Sequence, residues 1–545
     1  MRLAMVNSPA QGEGEDRMFA RSRNGERSRW SWPFALLVAV LVAPATAQAK
    51  NITVGPGRIV TASAKQALAS PTPSASTAAK PTPQEAYNPA LAARTQKPIV
   101  LPAEMLAPPA FQAAFPGEDI ATCCFRPPDT HGAVGKTQFV EVTNGEGVSV
   151  FRKSDGVKLK QTFFSTLWGY STKTIFDPRV VYDKMWNRWV ITAEAFNEDA
   201  TIQRAFIAAS TSSDATGSYC LYTYDVPEAA GSNDFYDYPQ LGMDQDSVII
   251  TANIFDDPVS GPYLRTRMYA PPKAAIYNCR GFGVPYFNLG AVGTVAPPIV
   301  EDPNSNAYLV SFFNSTTLKL FRATNLGRSG AGVVFQANVA IPAVSSGPPM
   351  RQPGSGSLGP PTGRFQNAST QIGDALLNIH TIAAGSFPMG RWYQVDTEGV
   401  GANTVPAGRL GNVLESSTSD DSNPGIVGSA LGGSSANPIG RMFVTWNATD
   451  ALNAVVANRH QVRVKGSGRL AADAVSITGG LNFGQAVVAY NPTTDNPERW
   501  GDYSAVTIDP VAAIGCSVGN RAWLVNEQQT TATLWGSRLG ALGYC

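Results

Sequence analysis

A strand–turn–strand unit recurs along this chain at spacings of roughly fifty residues, and no other feature limits the fold so strongly. Residues 176–195 (FDPRVVYDKMWNRWVITAEA) give its fullest form. Val180, Val181 and Tyr182 make a short apolar run, DKMWN turns the chain, and Trp189, Val190, Ile191 and Thr192 run back. β-Branched and aromatic runs bounded by Asp and Asn mark a hairpin. The unit returns at 236–255 around DQD, at 297–314 around DPNSN, and at 499–528 around TIDP and RAWLVNEQ. A hairpin alone buries neither of its faces, so a chain of them must stack as sheets. With helix signals almost absent, this predicts an all-β fold: a β-propeller of about seven blades of antiparallel strands.

In order, the units begin with 127–156, where Phe139–Val142 and Val148–Phe151 flank an Asn144-Gly145 turn. They continue over 176–226, 236–279, 297–326 and 365–397. RMFVTWNATD and HQVRVKGSG make the sixth, and the seventh runs from RWGDYSAVTIDP to the C-terminus. The fifth and sixth are degenerate, which leaves six or eight blades open.

Residues 1–49 read as a signal peptide region. Arg21, Arg23, Arg27 and Arg29 precede an apolar run at 34–42 that is short for a bilayer span. Ala45-Thr46-Ala47 and Ala47-Gln48-Ala49 offer cleavage sites, and Met18 is an alternative start. No Cys follows the run, so a lipoprotein anchor is not expected, and no adjacent Arg pair of the twin-arginine kind precedes it. Residues 50–115 are rich in Ala, Pro, Ser and Thr and read as a disordered linker. The propeller domain is then 116–545. Export predicts a secreted or periplasmic bacterial protein with no membrane span left after cleavage. The formal net charge of +1 argues against nucleic acid and against an anionic membrane surface. A monomer is expected.

All six cysteines (Cys123, Cys124, Cys220, Cys279, Cys516, Cys545) lie beyond the signal region. An even count in an exported chain suggests disulfides. Cys220–Cys279 would tie adjacent blades, Cys516–Cys545 would close the last, and Cys123 or Cys124 with Cys545 would join the chain ends. No CxxC spacing supports zinc.

The strings PPDTHGAVG, FDPRVVYD, NRWVITAEA, STSSDATGSYCLYTYDV, DYPQLGMD and RWGDYSAVTIDP together resemble a group of exported bacterial β-propeller proteins with no agreed activity. The resemblance spans 127–528 and implies fold rather than chemistry. SSDATG (212–217) also resembles a loosened Asp-box of the sialidase-type propellers, with one residue too many between Asp214 and Gly217. Asp-boxes are structural turns remote from active sites.

Chemistry must be built from few parts. The histidines are His131, His380 and His460. Asp129-Thr130-His131-Gly132 looks like a fragment of the subtilisin histidine motif, but no nucleophile motif accompanies it. Residues 132–137 end like a P-loop, yet Thr130 stands where its first Gly belongs. Nothing supports a quinone cofactor. More informative are the acidic residues at hairpin starts. Asp129, Asp177, Asp237 and Asp502 each precede the first strand of a unit, in the company of Arg179, Tyr236, Tyr238, Arg499, Trp500 and Tyr503. In a propeller those starts surround one mouth of the central channel. Paired carboxylates with aromatic platforms suit sugar chemistry. The reading is therefore an exported propeller that binds or processes extracellular polysaccharide or glycoconjugate, with Asp177, Asp237 and Asp502 as catalytic groups of a glycoside hydrolase or polysaccharide lyase. The alternative is a non-enzymatic adhesion or protein-interaction module. No motif specifies a cofactor, although the acidic ring also suits Ca²⁺. A purely structural role, with each Asp in a turn or paired to an Arg, stays open. Asp183, Asp244, Asp246 and Asp302 fall in the opposite set of turns and read as ordinary turn residues.

Overall fold

A computed structural model describes residues 50–60, 109–119, 126–145, 147–195, 203–226, 234–256, 261–352, 356–359, 363–399, 401–451, 462–471, 475–486, 488–493, 496–513 and 516–545. Cys123, Cys124, His460 and the signal region lie outside them. The described chain is all-β in a propeller arrangement, with two short helices, Phe164–Trp168 and Lys273–Ile276. Among the described residues no helix is long and apolar enough to cross a membrane.

Five blades stand as separate antiparallel sheets of four or five strands, not the about seven expected. Two further meanders fail to stand alone. One comprises Phe235–Met243, Val248–Phe255, Tyr263–Tyr269 and Phe282–Gly290; the other comprises Ser369–Ile372, Ala375–Ala384, Phe387–Asp396 and Leu410–Leu414. The short strand Pro298–Val300 pairs in parallel with the first strand of each, and so fuses both into one eleven-stranded sheet. Gly242 permits this approach: a Cβ there would meet the Pro298 carbonyl oxygen at 2.2 Å. Hydrophobic periodicity within single hairpins carries no information about such a bridge.

The first strand of each repeat lies innermost. His131–Val134 packs against Ile175–Asp183, which packs against Phe235–Met243; the ring continues through Pro298–Val300, Ser369–Ile372, Asp420–Ser429 and Ala505–Ile508 back to His131–Val134. Apolar clusters fill the spaces between sheets. Trp189 and Phe206, for example, are sealed against Val140, Val150 and Trp168.

The ring closes by mixing chain ends. Ala110–Asp119 pairs with Trp535–Gly543 and so completes the C-terminal blade. Cys516–Cys545 lies in that blade, and Cys220–Cys279 joins two neighbouring sheets, as expected. Within the stretch read as linker, Lys50–Val54 pairs with Phe282–Gly290 and Arg58–Val60 with Tyr219–Asp225. These β-branched segments cover sheet edges whose N–H and C=O groups would otherwise be unpaired. The low-complexity tract that dominates the stretch's composition masked them.

Candidate functional site

A recurrent bulge sets the site. Strand pairing slips between Phe176 and Arg179, between Asp237 and Gln240, and between Ser422 and Gly425. In each case the extra residues are a left-handed residue and the following proline: Asp177 (φ 49), Tyr238 (φ 58) and Asn423 (φ 51) precede Pro178, Pro239 and Pro424. Asp129 (φ 47) takes the same conformation ahead of His131–Val134. Such angles are uncommon outside glycine, least so for Asp and Asn, and recurrent outliers of this kind gather at functional sites. Each bulge re-aims side chains at the axis end where the inner strands begin.

Asp129, Asp177, Asp237 and Asp502 meet there. Asp129 Oδ1 accepts from the Asp502 backbone N–H at 2.9 Å, and its Oδ2 from Asn144 Nδ2 at 2.6 Å. The Tyr503 hydroxyl donates to Asp177 Oδ2. Arg499 forks onto Asp502 at 2.7 and 3.2 Å. Asp177 and Asp237 are joined by Glu194, and carboxylate oxygens of all three lie within 4.8 Å of one another.

Glu194 was absent from the sequence-based site. It sits near the end of Arg188–Ala195, directly across from Phe176 and beside the bulge. Its cross-strand counterparts at the other bulges are Asn253, opposite Asp237, and Asn447, opposite Ser422. The signal was present as a repeated Thr-x-Glu/Asn in TAE, TAN and TWN. Glu194 has no solvent exposure, and neither of its oxygens has a hydrogen-bond partner among the described residues. The Tyr238 backbone N–H favours its charged form.

Electrostatics follow from burial. Desolvation, then the Asp177 charge, push Asp237 up to about 7. Desolvation and then Asp129 hold Asp177 well above the usual carboxylate range; desolvation and then Asp237 do the same to Glu194. Desolvation and Asp502 raise Asp129 to about 7. Three carboxylates this close cannot all stay charged in a dry site without compensation. Among the described residues none of the three is ion-paired. Arg179 directs Nε to the Pro239 carbonyl at 2.8 Å and Nη1 to Asn367, and its guanidinium lies 3.3 Å from the Tyr503 ring centroid.

The aromatic residues differ from the expectation. Tyr236 is 1% exposed and packs with Tyr224 and Tyr269 in the sheet core. Trp500 is buried against Tyr490 and donates Nε1 to Asn447 Oδ1 at 3.0 Å. Tyr238 and Tyr503 are buried edge to face, 5.1 Å apart, with the Arg364 guanidinium over Tyr238. None offers an open stacking platform. Of the four, Tyr503 bonds a carboxylate, and Tyr238 donates its hydroxyl to the Asp502 backbone carbonyl. Partly open to solvent at this end are Asp237, Arg364, Arg499 and Asp502.

His131 is buried and accepts the Val180 N–H on Nδ1 at 3.3 Å, a structural use. At the opposite ends of the inner strands, a cavity of about 100 Å³ is lined by Val134, Val181, Ile299, Thr370, Val427 and Val506 and touches none of the carboxylates described above. Asp183 and Asp244 form turns at hairpin tips, their Oδ1 atoms accepting from Met185 and from Asp246 and Ser247.

No family model matches this chain, and no curated protein does. Among solved structures it is similar to an exo-β-1,3-galactanase from Phanerochaete chrysosporium, at 13% identity over 63% of this chain and 81% of that one, TM-score 0.31. A subtype N10 neuraminidase-like protein of A/little yellow-shouldered bat/Guatemala/060/2010 aligns at 10% identity over 66% and 98%, TM-score 0.36. An α-L-arabinanase of Penicillium chrysogenum aligns at 9% over 81% and 99%, TM-score 0.34. Likeness at these scores transfers neither a site nor an activity.

Proposed function

We propose that this is an exported propeller, secreted or periplasmic, that binds or processes extracellular glycan at the acidic end of its channel. The observation that carries the reading is the meeting of Asp177, Glu194 and Asp237, from two blades, at an end partly open to solvent. The oxygens of these carboxylates lie within 4.8 Å of one another, nearer the about 5–5.5 Å carboxyl spacing of retaining glycosidases than the wider inverting one; in the retaining reaction one carboxylic acid donates a proton and the other acts as nucleophile. Asp177 and Asp237 are the groups proposed for that work. Asp502 and Arg499 hold each other, and Asp129 anchors the Asp502 backbone, so these three fix the geometry. Two disulfides fit an oxidising compartment.

A glycan array and a polysaccharide-digestion screen of the mature protein test the reading. The expected result is binding or cleavage that Asp237→Asn abolishes while the melting temperature, compared with wild type in EDTA, holds. Binding without turnover assigns the adhesion alternative. A large fall in melting temperature with glycan affinity intact would show that Asp237 serves only the fold, and the site assignment fails.

A further inference from the structure

We propose that Asp177, Glu194 and Asp237 bind a single divalent cation of the Ca²⁺ class, buried at the acidic end of the channel. Two independent observations meet here. Three carboxylates from two blades bring ligand oxygens within 4.8 Å of one another. One of them, Glu194, is fully buried, carries two unpartnered oxygens, and is aimed into that cluster. A buried acceptor left without a donor is costly unless something absent from the protein's own hydrogen-bond network meets it. The nearby arginines do not: Arg179 directs its donors to Pro239, Asn367 and, with the Gln240 amide turned to suit both its neighbours, to Gln240, while Arg364 lies over the Tyr238 ring and acts on Asp237 through its charge.

The donor set names the class. Only oxygens converge, with no His or Cys, which selects a hard cation. Oxygens within 4.8 Å of one another are close enough for one cation to bridge, and carboxylates fixed on two blades suit the flexible coordination of Ca²⁺, with bonds of about 2.3–2.6 Å, better than the near-ideal octahedron that Mg²⁺ demands. Asp237, only partly buried, gives the ion its way in and leaves room for water ligands. Joining Ile175–Asp183 and Arg188–Ala195 to Phe235–Met243, the ion would clamp two neighbouring inner strands. The site shares Asp177 and Asp237 with the glycan reading, but metal binding is measured with no glycan present, so either can fail alone.

The full mature protein is washed with EDTA, equilibrated at about 1 mM free Ca²⁺, the weak end for extracellular sites, and its metal content measured. One tightly held Ca²⁺ per chain is expected, with a higher melting temperature than in EDTA. Tb³⁺ should replace it and glow on tyrosine excitation, because the Tyr503 hydroxyl touches Asp177. Glu194→Gln should weaken Tb³⁺ binding by about tenfold or more, while Asp246→Asn, at a hairpin tip elsewhere, should not change it. Wild-type protein that holds no Ca²⁺ overturns the proposal whether or not the variant folds. So does a folded Glu194→Gln protein that binds Tb³⁺ as wild type does.

Discussion

Removing the Cys220–Cys279 disulfide should cost more stability than removing Cys516–Cys545. Cys220–Cys279 closes 59 residues of chain and Cys516–Cys545 closes 29. In the chain-entropy account these loops correspond to about 4.3 and about 3.6 kcal/mol at 25 °C. Placement widens the gap. Cys220 is fully buried in the core shared by two sheets, so Cys220→Ala/Cys279→Ala also leaves a small void worth about 1 kcal/mol. Cys516–Cys545 pins the chain's last residue, and without it the register from Ala110↔Gly543 to Asp119↔Gly536 still holds the ring shut. With an unfolding entropy of about 2.1 cal/mol/K per residue over roughly 430 residues, each kcal/mol moves the melting temperature by about 1 °C. The first double variant should therefore melt about 5 °C below wild type and the second about 4 °C or less. Calorimetry on both variants, with thiol counting to confirm that no other bond forms, makes the measurement. Equal losses below about 1 kcal/mol, or the larger loss at Cys516–Cys545, would refute the loop-and-burial argument.

Other outcomes follow from buried groups. His380 is fully buried as a neutral ring, Nδ1–H donating to the Gly363 carbonyl at 2.6 Å and Nε2 accepting from Tyr393, and burial lowers it to about 4. A depressed histidine contributes stability that is complete above the unfolded value of 6.5 and lost as pH falls from there through about 4, for a total of about 3 kcal/mol. Urea titrations at pH 7 and 4.5 should show His380→Gln losing less on acidification than wild type, and equal losses would sink the assignment. Gly242→Ala should destabilise by about 1–3 kcal/mol, because its Cβ would strike the Pro298 carbonyl in the bridge between the two fused meanders. A melting temperature at the wild-type value would mean the bridge relaxes freely.

The hairpins were legible because each writes its own period-two pattern and its own Asx turn, as Asp183 does in accepting from Met185 and Trp186. The Cys516–Cys545 bond excludes the expected alternative of Cys123 or Cys124 with Cys545, a choice that six cysteines by themselves leave open. Glu194, unlike the hairpins, was hidden. It lies inside an apolar second strand where a carboxylate reads as an exception, and only its pairing with Phe176 shows that it borders the bulge. The fused sheet was hidden as well, since Pro298–Val300 is too short to write any pattern of its own.

By sequence Asp177 and Asp237 look equivalent, yet the bulges show that they are one residue out of phase. Asp177 is itself the left-handed residue before Pro178, whereas in the next blade that place belongs to Tyr238, and Asp237 precedes it. Asp502-Tyr503 repeats the order of Asp237-Tyr238. In a strand a step of one residue sends a side chain to the opposite face. A ring of strictly equivalent aspartates would hold its charges evenly apart around the axis, each beside its own blade's partners. The offset instead lets the bulge residue of one blade and the pre-bulge residue of the next approach from different faces and meet Glu194 between them. At the Ser422–Gly425 bulge the same places carry Asn423 and Asn447, joined by an amide hydrogen bond, and Asn423 also donates to Asn526. The fold accepts neutral amides at these positions, so the carboxylates between the second and third repeats are not required by the architecture. Their concentration there is what a site needs.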